Sequence, residues 1–411
     1  MERVVKRIES LRDEMVALWC RLIETPAISP DYGYEGEWDR ARVLLEHIKG
    51  LPFDSVEVYE CPDERAKEKS RPNIIARILG GDGRRLWILS HMDTVPPGDM
   101  GGWTETEPFK ARVKDGRIYG RGAEDNLQGL LASLTAARAL LEEKIPPARE
   151  VILAFVSDEE TGCRYGLEWL MKEHPELFKK EDLVLVPDWG NKEGTFIEIA
   201  EKSMLWVKVR VLGKQVHAST PNRGLNAHRV AIELGHSLIR RLHELFDAKD
   251  PLYDPPKSTF EPTMARAESD SPNIAPGLHE MVFDCRVLPE ISLDHVLSAF
   301  QEEAKKAEGE NPGCRVELEV MHRLDAPPPT PKDSEIVKLL REAVAELRGK
   351  EANVGGVGGG TFAAYFRKLG IPAVVWSTIE GMAHQPNEYA VIDNMLEDAK
   401  VMAYLMLKKT A

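Results

Sequence analysis

LWILSH, residues 86–91, is a short run of bulky apolar side chains that stops at a histidine. A run of this kind, too short for a helix, reads as a strand. NIIARIL (73–79) upstream has the same character. Downstream, a helical pattern extends from about 126 to 143, and a further apolar run, VILAFV (151–156), ends at Ser157. Strands alternating with helices indicate a sheet flanked by helices, an α/β fold. Ligands of such sheets gather at the carboxyl ends of the strands.

Outward from this centre the pattern changes twice. From about Lys202 it becomes strand LWVKVRVLG, helix NAHRVAIELGHSLIRRLHEL, strand near PTMARAE, strand EMVFDCRVL, helix SLDHVLSAFQEEAKKA and strand CRVELEVMH. That βαββαβ order is a self-contained, ferredoxin-like α+β unit. The proline-rich DAPPPTP (325–331) marks the exit, after which helix SEIVKLLREAVAEL and strand IPAVVW resume the first pattern. The expected division is therefore a catalytic domain formed by 1–202 and 326–411, interrupted by an inserted domain at 203–325. Before the sheet, the first 26 residues read as one amphipathic helix and not as a signal-peptide core.

The totals exclude several functions. A length of 411 residues favours two domains over one core. A net charge of −14 argues against a nucleic-acid partner, because phosphate binding needs a basic patch. No run is long and apolar enough to span a bilayer. The 5 cysteines are scattered without a CxxC pair, which fits a reducing compartment, and a cytoplasmic location is expected.

Five segments present metal-type donors. His91 stands where the first strand opens, and Asp93 projects to the same side if the chain stays extended. That spacing suits an imidazole ligand whose second nitrogen is held by a carboxylate; a hydrogen-bonded surface pair is the plainer alternative. GRGAEDNLQG places Asp125 beside a helix start, where Asp125 or Asn126 would also serve as an N-cap. Its glycines lack the context of a dinucleotide site. SDEETG sets Glu159 and Glu160 at the open end of VILAFV, where buried charge is costly without a cation, although a solvated acidic loop is equally compatible. LVLV ends near Asp188, and His384 lies in a loop after IPAVVW. Together a His, Asp, Glu, Asp, His set suits Zn²⁺ or a similar divalent ion.

With these residues in view, the chain resembles the aminoacylase and carboxypeptidase family of dinuclear metallopeptidases, which includes acetylornithine deacetylase, succinyl-diaminopimelate desuccinylase and di- and tripeptidases. The motifs HMDTV, GRGAEDN, SDEETG, GKQVHAST, SPNIAPG, GGGTFAAYF and GMAHQPNEY stand in the family's order, from ETPAISP to HQPNEY. The resemblance implies two divalent ions, zinc first with cobalt or manganese as alternatives. His91 would bind one, His384 the other, and Asp125 would bridge them. Glu160 and Asp188 would complete the two spheres, Glu159 would be the general base and Asp93 would orient His91. Where the family usually has a Lys or a glycine-rich stretch after the bridging acid, this chain has Asn126, Leu127 and Gln128.

The implied activity is amide hydrolysis of short peptides or N-acyl amino acids through a water activated between the ions. The implied assembly is a homodimer through the inserted domain, with His217 stabilising an oxyanion in the partner's site. Asn273, Arg286, Gly360 and Thr361 would hold the substrate carboxylate, for which the planar fork of Arg is suited. Without the family order, His217 reads as a surface histidine, Arg286 as a strand-face ion pair and GGVGGG as a flexible loop. A silent binding protein on the same fold is the alternative to an enzyme; loss of the base or of a ligand would mark it, and every such position is filled.

Overall fold

The computed structural model describes residues 1–81 and 84–409. The chain forms two compact units: one of 1–199, 330–354 and 361–411, the other of 200–329 and 355–360.

The first unit is built on an eight-stranded mixed sheet in which Arg85–His91 lies between Glu150–Val156 and Leu183–Val186. These three run parallel, whereas Ser70–Ile78 lies antiparallel on the other side of Glu150–Val156. Arg85–His91 is buried along its whole length, which explains its unalternating apolar sequence. Trp87 and Leu89 pack on one face with Leu167, Leu170, Phe362 and Phe366 from two short helices. On the strands also packs helix Gly129–Glu142, itself against helix Ile392–Leu407. Burial of each large side chain here contributes about 1.5–3 kcal/mol, so the strand ends are held by a rigid support.

Two local expectations need correction. The N-terminal segment is two helices, Glu2–Ser10 and Arg12–Ile23, that meet at Leu11. The helix expected from about 126 begins regularly only at Gly129, because Ala123–Gln128 forms a wider turn in which Asp125 and Asn126 have non-helical dihedrals. The N-cap reading of Asp125 is therefore set aside. The peptide bond between these two residues is cis.

The second unit carries a four-stranded antiparallel sheet in the order Thr259–Ala267, Leu278–Val287, Ser203–Leu212, Arg315–Leu324. That is the strand order of a ferredoxin-like βαββαβ unit. Leu205, Val207, Val209 and Val211 alternate inward beneath helices Ala227–Leu245 and Leu293–Glu310, and the intervening residues face outward. Asn226 and Ser292 cap the two helices through their side chains.

Candidate metal centre

Each ligand candidate of the first unit is aimed by backbone that the sequence makes specific. His91 is the last residue of its strand and is buried. Asp93 sits behind it: its Oδ1 lies 3.4 Å from His91 Nδ1, while its two oxygens accept the backbone N–H groups of Glu159 and Glu160, each at 3.1 Å. One carboxylate thus fixes both the imidazole and the acidic turn Glu159–Thr161. Gly129, at the start of its helix, touches the carbonyl of Pro187; a Cβ there would lie 2.1 Å from that oxygen. This close approach lets Asn126 donate to Pro187 O and to Asp188 Oδ1, both at 2.7 Å.

Two groups of potential ligands result, His91 with Asp125 and Asp188, and Asp125 with Glu160 and His384. In the first, His91 Nε2 lies 2.9 Å from Asp125 Oδ1 and 3.5 Å from Asp188 Oδ1. In the second, His384 Nε2 lies 3.1 Å from Asp125 Oδ2 and 3.1 Å from Glu160 Oε1. Asp125 therefore offers one oxygen to each imidazole. Glu159 stands half-buried beside Glu160.

The electrostatics show a site short of positive charge. Burial pushes the Glu159 carboxyl well above the ordinary range, with Asp188 and Glu160 reinforcing it against His91. Burial and the Asp125 charge raise Glu160 to about 7. Burial also raises Asp188. Burial disfavours charge on His91 too, yet hydrogen bonds with Asp125, Asp188 and Asp93 prevail and hold its imidazolium far above the usual value. Hydrogen bonds with Asp125 and Glu160 raise His384 to about 10. Protons are thus retained where divalent cations would relieve the same repulsion.

Acid and imidazole groups gathered at strand ends in this way are the donor set of a metallohydrolase. The sequence profile of peptidase family M20/M25/M40 matches residues 87–408, and the chain belongs to that family, whose members include hydrolases of amide bonds. An uncharacterized metallohydrolase of Methanococcus maripaludis is 38% identical over 96% of this chain and 99% of its own. A succinyl-diaminopimelate desuccinylase of Paracoccus denitrificans is 28% identical over 93% and 95%. A tripeptidase of Staphylococcus aureus has the same fold, with a TM-score of 0.77 at 20% identity over 96% and 98% of the two chains.

The remaining candidates lie elsewhere. Thr361, in the first unit, caps helix Phe362–Lys368 by accepting the N–H of Ala363 at 3.2 Å. His217, Asn273, Arg286 and Gly360 belong to the second unit. There Val216–His217 pairs with Ile274–Ala275, so His217 and Asn273 sit side by side and exposed. His217 Nδ1 accepts the Ser219 N–H at 3.1 Å. Arg286 donates to both oxygens of Asp284, at 2.7 and 3.0 Å, and to Gly358 O at 2.7 Å.

Sequence reading missed the residues that hold the ligand loops, Glu124, Asn126 and Glu388. No local signal marks them, since their partners lie far away in sequence.

Proposed function

We propose that the protein is a two-metal amide hydrolase acting on a short peptide or an N-acyl amino acid with a free carboxylate. The sharing of Asp125 between two acid and imidazole groups carries this reading. His91, Asp125 and Asp188 would hold one divalent ion and Asp125, Glu160 and His384 the other, with zinc best suited to the donors. When bound, such ions supply Lewis acidity toward the scissile carbonyl and bring the pKa of a water into the neutral range. The Glu159 carboxylate takes the proton of the attacking water and returns it to the leaving amine. Asp93 keeps His91 in orientation, and Asn126 does the same for Asp188.

On this reading the segment 203–325 is an inserted dimerisation domain. Its edge strand Thr259–Ala267 is largely exposed, and Met264 on it and Ile232 on the neighbouring helix are 64% and 60% exposed, as a self-pairing face requires. His217 would act in the site of a partner subunit: because Nδ1 accepts from Ser219, the ring proton resides on Nε2, the donor an oxyanion needs. Asn273, Arg286, Gly360 and Thr361 would receive the substrate carboxylate. All five cysteines are free, which supports a cytoplasmic setting.

The test is a panel of N-acetyl and N-succinyl amino acids and di- and tripeptides, assayed after chelation and again after adding Zn²⁺, Co²⁺ or Mn²⁺. Chelation should abolish turnover and at least one cation should restore it on one substrate class. Absence of hydrolysis across the whole panel in the cation-saturated protein would sink the reading.

A further inference from the structure

The loops bearing Asp125 and His384 are joined by two buried carboxylates that reach in opposite directions. Glu388, four residues after His384, is 1% exposed; it accepts the N–H groups of Gly122 at 3.0 Å, Glu124 at 3.0 Å and Asp125 at 3.1 Å. Its remaining charge meets Arg121 Nη1 at 2.7 Å. In return Glu124, beside Asp125 and 4% exposed, accepts the N–H of Glu380 at 2.5 Å and that of Met382. Gly122 completes the fit, because its φ of +83° suits glycine and a Cβ would meet Thr94 Cγ2 at 2.5 Å. The backbone on each side is therefore fixed by the side chain of the other.

We infer that Glu124 and Glu388 form a reciprocal latch that positions His384 against Asp125, and so sets the affinity of one of the two metal sites without touching a metal. The inference rests on the two-metal reading above. At the other site the two ligands it does not share, His91 and Asp188, follow directly from strands of one sheet. His384 has no such support: it lies in a loop at a φ of +64°, and Glu160 and Asp125 are its polar neighbours. Its distance from Asp125 follows from the path of 380–388, which the two carboxylates hold at both ends. Both act on backbone amides, so they are positioning residues and not catalytic ones.

The experiment is a calorimetric titration of the metal-free full-length protein with Zn²⁺, stoichiometry being read by native mass spectrometry. Two ions in the wild type are required; a single ion would defeat the two-metal reading itself, before any variant is compared. Glu124→Gln keeps the volume and one acceptor but turns an NH₂ group toward a backbone N–H. It should leave one ion within about threefold of its wild-type affinity and weaken the other by about 10–100-fold, the usual effect of losing a partner behind the ligands. Excess Zn²⁺ should then restore kcat with KM unchanged. In the metal-free variant the amides of Glu380 and Met382 should exchange hydrogen at least tenfold faster, while those of Arg85–His91 keep wild-type rates. Equal weakening of both ions, or unchanged affinity of both, would overturn the latch. If Glu124→Gln does not fold, Glu388→Gln reads the device from the other loop: it frees the backbone of the shared Asp125, so faster exchange is expected at Gly122 and Glu124 and both ions should weaken, and unchanged exchange or unchanged affinity of both ions in that variant would overturn the latch.

Discussion

His91 and His384 face one carboxylate from two kinds of support. His91 ends a strand buried between two others and is itself 1% exposed, whereas the side chain of His384 is 54% exposed on a loop. Asp125 serves both, with Oδ1 toward His91 and Oδ2 toward His384. The strand-borne half is fixed by the hydrophobic packing that makes the fold, so its geometry comes with folding. The loop-borne half is fixed by polar contacts and can be altered without unfolding the sheet. One site thus combines a part that is inseparable from stability and a part that is adjustable.

The largest expected effect removes what the halves share. Asp125→Ala should lose both ions and reduce turnover to background; elemental analysis showing one ion retained would mean that Asp125 is not a bridge. Next, Glu159→Gln should keep both ions and substrate binding while kcat falls by about 10²–10⁴, because a base and not a ligand has been removed. Loss of an ion in parallel with activity would exchange the roles of Glu159 and Glu160.

A sharper contrast comes from replacing the two histidines singly. His91→Ala should remove an ion and also destabilise the metal-free protein by about 1–3 kcal/mol, since it leaves the buried Asp93 without its imidazole partner. His384→Ala should remove an ion and lower the denaturant midpoint less, because its ion pairs are half-exposed and screened by solvent. Equal midpoints for the two variants would show that the supports do not differ.

The smallest effect concerns pH. His384 is raised from 6.5 to about 10 by its carboxylate neighbours, so its stabilising contribution to the metal-free protein is complete below pH 6.5 and is lost as pH rises through about 10. Glu160, raised from 4.5 to about 7, adds a penalty as it ionises over that lower interval. A cation removes both effects, so the rise in Tm on adding Zn²⁺ should grow between pH 6 and 8. A shift that is flat or shrinks over this range would contradict the charge balance described for the loop-borne half.

Legibility in the sequence follows the same divide. LWILSH, VILAFV and LVLV announce the sheet because strands covered on both faces have no polar alternation to hide them. The helices Ala227–Leu245 and Leu293–Glu310 were readable as the two long helical segments between the strands of the insert. The α/β class with its ferredoxin-like unit could thus be read directly. The turn Ala123–Gln128 was not, since its path depends on Gly129 touching Pro187 and on amides held by Glu388, contacts far apart in sequence. The candidate ligands were visible as residue types, but that one Asp125 oxygen faces each histidine is information only the fold contains. The strands Phe196–Glu201 and Asn353–Val357 also escaped notice, as short segments beside glycine-rich stretches.

The chain leaves the first unit after Ile199 and re-enters it at Thr330, whose N–H donates to Ile199 O at 2.8 Å. Within the other unit Met204 and Leu324 are likewise cross-strand partners. Each gap is closed on itself, yet the two units become completable at different moments of protein synthesis. The eight-stranded sheet has Ala373–Val375 in its interior, between Leu183–Val186 and Phe196–Glu201, so it must wait for almost the entire chain. The ferredoxin-like sheet has all four of its strands once residue 324 has been made. On arrested nascent chains ending near residue 370, long enough for Arg315–Leu324 to clear the ribosomal tunnel but short of Ala373–Val375, a protease should spare 203–325 and cut within 86–156, and equal cutting of both would refute the order. The later-encoded module is then expected to fold first on the ribosome, before the earlier part of the first unit can complete its sheet.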